Sequence, residues 1–233
     1  MKRLFTGIVC LLISSFTLQA QVSNRTLKKE FKYEKVSSYD LEKWDFYGNG
    51  KGVRDVHKQF CLAEAEGSKG VVLVSPESYG KDVIVRYDAV PLTSSTVLVM
   101  MLATSDHGNK DGKLTIPDNY DGALSFWNNN VDGYFFAYHN LAHNYTPFVR
   151  RSPKVSKTFM AYAKENVMSP GKCSHVEIGK VGGKLWMKVD GKLLYSVEDK
   201  DPYQKGKIVF RTRGTLWFKA STLIKNVEIF SRD

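Results

Sequence analysis

The most constraining stretch of this 233-residue chain runs from His175 to Glu198. Three segments of alternating apolar and polar residues, His175–Lys180, Lys184–Asp190 and Lys192–Glu198, are separated by Gly182-Gly183 and Asp190-Gly191. Alternation at period two is the pattern of a half-buried strand, and both dipeptides supply the positive φ angles of tight hairpin turns. A helix cannot satisfy either signal. The last third of the chain is therefore an antiparallel meander, extended by predicted strands at Gly206–Arg213, Thr215–Ala220 and Thr222–Phe230.

The same reading runs back toward the N-terminus. Lys58–Glu66, Gly70–Ser75 and Asp82–Val90 read as strands, with Val83, Val85, Tyr87 and Ala89 on one face of the last. Thr96–Thr104 is continuously apolar, as a strand covered on both faces is. Ser105–Tyr120 is a long polar excursion, predicted as a surface flap. Its Asp106, Asn109, Asp111 and Gly112 do not match the alternate-position ligands of a calcium loop, so no cofactor is expected. Ala123–Asn128 and Asp132–His139 read as two more strands, and Thr158–Ala163 as a strand or short helix. No segment after residue 20 carries a helical apolar stripe. About a dozen short strands with turns between them predict an all-β chain, an antiparallel two-sheet sandwich of jelly-roll type, with Trp186 and Trp217 on strands.

The first twenty residues are different. Lys2 and Arg3 precede the apolar run Leu4–Phe16, and Leu18-Gln19-Ala20 offers a small residue for cleavage. This is the pattern of a secretory signal peptide, too short for an ordinary membrane span. Residues 21–38 form a polar lead-in, an edge strand or a tail, and 39–233 a single sandwich domain. The expected location is secreted or periplasmic, with the chain a monomer. Loss of Lys2 and Arg3 lowers the formal charge from +10 to +8, since no acid lies in the first twenty residues. Such a basic protein favours anionic partners. The basic residues are scattered over strands without a nucleic-acid-binding motif, so an acidic glycan is the expected partner. Cys61 and Cys173 can form one long-range disulfide or remain thiols; their spacing excludes a zinc ribbon.

Candidate functional residues concentrate between Trp127 and Arg151. Aromatic faces, imidazoles and guanidinium forks are the groups that grip a sugar and its carboxylate. In a β-eliminating lyase, Arg150 and Asn144 would neutralise the uronate carboxylate. His143 or His139 would remove the C5 proton, and Tyr138 or Tyr145 would protonate the leaving oxygen. Trp127, Tyr134, Tyr145, Asn140 and Arg151 would bind the flanking sugar. Tyr134, Phe136 and Tyr138 share one face of their strand and Phe135, Ala137 and His139 the other, which makes His143 the better base. A non-catalytic carbohydrate-binding module would use the same aromatics and arginines. A glycoside hydrolase is a further alternative, although the EXDXE run of retaining glucanases is missing: Glu64 and Glu66 flank Ala65. No serine-hydrolase elbow or dinucleotide loop is present.

The segments HVEIGKVGGKLWMKVDGKLLYSVED, DPYQKGKIVFRTRG and KNVEIF follow one another as in the back half of the concanavalin-A-like lectin/glucanase superfamily, which the chain resembles from Tyr39 to Phe230. Within it the chain looks most like the YesU-like bacterial proteins. In these, an aromatic strand like YFFAY leads into an asparagine-bearing loop and a basic pair. Tyr134, Tyr138, Asn140 or Asn144, and Arg150-Arg151 are the matching positions; Phe135 stands where those proteins often carry a histidine. The resemblance implies a concanavalin-like sandwich and a role in polysaccharide use.

Overall fold

The computed structural model describes residues 24–153, 159–215 and 217–233. The predicted export segment, residues 1–20, lies outside them. Fifteen strands occur in the order β1 Lys32–Val36, β2 Asp45–Tyr47, β3 Gly50–Arg54, β4 Phe60–Glu64, β5 Val71–Val74, β6 Asp82–Pro91, β7 Val97–Asp106, β8 Val131–His139, β9 Phe148–Ser152, β10 Ala161–Tyr162, β11 Ser174–Val181, β12 Lys184–Val189, β13 Lys192–Glu198, β14 Lys207–Arg213 and β15 Ser221–Arg232. Three short helices accompany them: α1 Asn24–Glu30, α2 Ser38–Leu41 and α3 Leu124–Asn129.

All strand pairs are antiparallel and form two sheets. One runs β13-β12-β11-β6-β15-β4-β3, the other β10-β9-β8-β7-β14-β5-β2. The fold is thus the expected jelly-roll sandwich. The twelve-residue β15 pairs with β6 along one edge; on its other edge it pairs with β4 over Ser221–Ile224 and with β1 over Val227–Ser231. The lead-in therefore contributes an edge strand, while Leu27 and Phe31 at the end of α1 pack on Ile84 and Phe230.

The core follows from strand alternation. Val83, Val85, Tyr87 and Ala89 of β6 meet Leu98, Met100 and Leu102 of β7 and Tyr134, Phe136 and Tyr138 of β8 between the sheets. The Tyr87 ring sits edge-on to Phe210 at 5.1 Å. Each such fully buried side chain contributes about 1.5–3 kcal/mol relative to exposure. A second apolar layer covers the outer face of the β7–β8 sheet. Val97, Val99 and Met101 pack there with Val131, Phe135, Ile116 and Trp127. This layer is why β7 reads as apolar on both faces. The 105–120 excursion is more than a polar flap, because its Ile116 is buried in this layer and its Leu114 and Tyr120 pack against it. Its polar groups close the loop on itself: Asp106 accepts from Thr115 N and Oγ1, and the Asn109 Oδ1 accepts from the backbone of Asp111 and Lys113.

Two segments expected as strands differ. The 123–128 segment is the helix α3, because Leu124 and Trp127, three residues apart, share the face that lies on the outer layer. Of the segment expected at 215–220, Thr215 and residues 217–220 are on no strand; Thr215 N donates to Phe218 O, and Trp217 is 84% exposed. Trp186 is on β12, as expected. Cys61 is half-buried and Cys173 exposed, and both are free thiols rather than a disulfide or a buried pair. Among the described residues no helix is long and apolar enough to cross a membrane.

Trp186 lies across its register partner Gly179, where an added Cβ would stand 2.1 Å from a ring carbon. Its indole donates to Glu177 at 2.8 Å, and Glu177 also pairs with Arg86 in a buried ion pair. Gly179→Ala must displace that ring. It should lower the unfolding free energy by about 1–3 kcal/mol in urea titration, with an unchanged m value; a variant as stable as the parent would contradict this packing.

Candidate functional site

The outer face of the β9-β8-β7-β14 sheet carries a groove of ≈ 480 Å³. Strand register builds its floor. Phe135 stands opposite Arg150 and Ala137 opposite Phe148 across β8 and β9, Val99 joins Ala137 to Arg211, and Val97 stands opposite Arg213. Ala137, the smallest of these, leaves the opening. Leu124 and Asn128 of α3 form one wall; Asn140, His143 and Tyr145 of the loop after β8 form the other. Phe148 and Phe159, stacked at 4.0 Å, and the Tyr145 ring, edge-on to both, make an aromatic rim.

Three guanidinium groups reach this groove from Arg150, Arg211 and Arg213, and no carboxylate among the described residues lines it. The arginine ion pairs among the described residues belong to Arg54, Arg86, Arg151 and Arg232 instead. Arg150 is 6% exposed; it lies 4.2 Å over the Phe135 ring and donates to Asn128 Oδ1 at 2.5 Å. Burial, reinforced by Arg211, pushes its pKa down to about 10, so it is charged at neutral pH. Arg211 is 2% exposed and donates through Nη2 to the carbonyls of Lys69 and Gly122, both at 2.9 Å; its Nε has no partner. Burial lowers its pKa as well. Buried cations without counter-charge are costly. An anion entering such a site finds donors already oriented, which is the arrangement that binds carboxylate or sulfate.

His143 lies beside these charges. It ends the single 3-10 turn Leu141–His143, and its Nδ1 stands 2.8 Å from Asn140 Oδ1. An amide oxygen only accepts, so Nδ1 carries the hydrogen and Nε2 keeps a free lone pair. Burial first, and Arg213 second, lower the His143 pKa, which keeps the imidazole neutral at neutral pH. Asn140 is itself 7% exposed, and its carbonyl accepts from the backbones of His143 and Tyr145, fixing the loop.

The groove thus brings together His143, Arg150, Asn140 and Tyr145 from the residues singled out in the sequence. It leaves the others elsewhere. Tyr138 points between the sheets and is 2% exposed; burial raises its phenol pKa further, so it is no proton donor to this groove. Tyr134 faces the same core, donating to Asp199 at 2.7 Å. Arg151, its register partner, pairs with the same Asp199 and stacks on Tyr203 at 4.2 Å. Arg151 and Tyr203 line a separate cavity of ≈ 350 Å³ and not this groove. Trp127 is fully buried under α3 and donates to Tyr120 Oη at 2.6 Å, so its faces are unavailable for stacking. His139 is 1% exposed with Nδ1 against the Thr96 carbonyl. Asn144 takes the left-handed conformation that closes the 3-10 turn, φ 55°, and does not line the groove. Sequence reasoning missed Arg211 and Arg213. The signal was present in Arg-Thr-Arg on a strand, which places both arginines on one face.

Chains of known structure share this architecture. A protein of unknown function with a galectin-like fold from Bacillus subtilis superposes with a TM-score of 0.71 at 17% identity, covering 86% of this chain and 98% of that one. The β-glucanase of Bacillus licheniformis does so at 0.54 and 12%, covering 86% and 92%. The carbohydrate recognition domain of Emp47p does so at 0.53 and 12%, covering 82% and 89%. These likenesses establish the fold, a galectin-like jelly-roll sandwich. No family model matches the chain, and no curated protein matches it in sequence.

The Arg213 charge holds the His143 pKa down, so its removal should let that pKa rise. Titration of the imidazole C–H resonances by NMR checks this: Arg213→Ala should move the midpoint toward higher pH. An unmoved midpoint would show that Arg213 does not face the ring.

Proposed function

We propose that this protein is an exported, carbohydrate-active relative of the YesU-like proteins that cleaves an acidic glycan by β-elimination. The observation that carries the reading is the set of three arginines in no ion pair among the described residues, beside a neutral imidazole in an aromatic-rimmed groove. Arg150 and Arg211 clamp the uronate carboxylate. Their charge stabilises the enolate-like anion that forms as the C5 proton departs, which lowers the barrier to its removal. His143 Nε2 takes that proton, held in the right tautomer by Asn140. The Tyr145 hydroxyl, on the exposed rim, protonates the leaving C4 oxygen. The products are an unsaturated uronate and a new chain end. Hydrolysis fits less well, because a glycosidase needs a carboxylate pair across the bond and none lines this groove.

Export follows from the signal-like segment at residues 1–20. A second reading, a non-catalytic binding module, is favoured by one observation: the 48%-exposed Tyr145 ring at the rim can stack on a sugar without any proton transfer.

The experiment is incubation of the mature protein with alginate, polygalacturonate, hyaluronan, chondroitin sulfate and neutral glucans, following unsaturated-uronate absorbance and reducing-end release. One acidic polymer should yield the unsaturated product. His143→Ala should reduce turnover about a hundredfold or more while binding persists. Tyr138→Phe, buried in the core, should leave turnover nearly unchanged. Binding without absorbance change, equally in wild type and His143→Ala, would establish the binding module instead.

Arg150→Lys replaces a bidentate fork with a point charge. It should weaken binding of the same polymer at least tenfold by calorimetry. An unchanged affinity would remove Arg150 from the clamp.

A further inference from the structure

Arg213 lines two cavities. Besides the groove it borders a second one of ≈ 410 Å³, walled by the 64–69 turn and by Trp217, Phe218 and Lys219 of the loop between β14 and β15. Trp217 is 84% and Phe218 66% exposed, so two large aromatic side chains stand side by side in solvent. Chains usually bury such surface unless a ligand covers it.

The loop that presents them is held at both ends. Glu64 Oε2 accepts from the backbone of Gly214 at 2.5 Å and of Ala220 at 2.9 Å, and Thr215 N donates to Phe218 O at 2.9 Å. Gly214 lies so close beneath the turn that a Cβ there would stand 1.9 Å from Phe218 O. A loop pinned by one carboxylate and a glycine keeps its aromatic tip out at little entropic cost on binding. The charge around the tip suits an anionic ligand. Arg213 supplies it: Lys69 pairs with Asp121 at 2.6 Å and Lys219 faces Glu66 at 3.8 Å, Glu64 is held by the two amides, and among the described residues Arg213 is in no ion pair.

We propose that Trp217 and Phe218 form a second sugar-binding subsite, which carries the next residues of the same acidic glycan chain as it leaves the groove past Arg213. The inference rests on the acidic-glycan reading of the groove. It makes the substrate a polymer or long oligosaccharide: one sugar spans the arginine groove, and its neighbours stack on the aromatic tip, with the Arg213 guanidinium between the two.

The test uses the mature full-length protein and whichever acidic polymer of the panel above it binds, together with disaccharides and hexasaccharides cut from that polymer. Calorimetry is run on wild type, the Trp217→Ala/Phe218→Ala double variant, Gly214→Ala and Arg150→Ala. The double variant should bind the hexasaccharide at least tenfold more weakly and the disaccharide unchanged. Gly214→Ala, which displaces the tip without deleting it, should shift affinity the same way. Arg150→Ala should weaken both lengths. Equal affinity of wild type and double variant for the hexasaccharide would overturn the subsite while leaving the groove intact. Equal loss on both lengths would overturn it too, by showing a general effect on folding. Failure of wild type to bind any acidic glycan would instead bring down the groove reading, and this inference with it.

Discussion

The side-chain alternation of four adjacent strands governs both the core and the groove. On β8 the residues Tyr134, Phe136 and Tyr138 go inward to the space between the sheets, and Phe135 and Ala137 go outward. On β9 the same rule separates Arg150, over the groove, from Arg151, tied to Asp199. On β14 it sends Arg211 and Arg213 outward together. A one-residue slip of any of these strands would exchange apolar core for guanidinium groups, so burial of the inner face fixes the position of every charge on the outer one.

Electrostatics then gives the outer face its character. In the opposite sheet Arg86 is balanced by Glu177, and Asp82 by Arg232. The groove differs: two of its arginines are almost fully buried, and among the described residues none of the three is in an ion pair. Asn128, two backbone carbonyls and the Phe135 ring hold the guanidinium groups in place without neutralising them. The fold tolerates this charge because the apolar layers on both faces of β7 and β8 are extensive. His143 is tuned by the same surroundings, since burial and Arg213 act in one direction on its pKa.

Much of this was legible in the chain itself. The Gly-Gly and Asp-Gly turns, the alternation of Asp82–Val90 and the continuously apolar Thr96–Thr104 together point to antiparallel sheet with one strand covered on both faces. The opposite facing of Tyr138 and His139 was legible too, because it needs only the period of a strand, whereas the expected pairing of Tyr138 with His143 fails because the inward face of β8 is core. Other features depend on contacts that no local pattern encodes. Trp127 lies on a six-residue helix whose aromatic composition imitates a strand, and its burial comes from Tyr120 and the distant sheet. The exposure of Trp217 depends on Glu64, 150 residues before the Gly214 amide it holds. Arg211 joins the site only because β14 lies beside β7, a pairing between segments more than a hundred residues apart.

The central claim is that the arginine groove on the outer sheet face receives the anionic group of a glycan. It is tested most directly by a crystal structure of the protein with a bound acidic oligosaccharide. The account predicts a uronate carboxylate within hydrogen-bonding distance of the Arg150 and Arg211 guanidinium groups, with His143 Nε2 facing the sugar ring. An oligosaccharide bound on another surface, with the groove filled only by water, would contradict it.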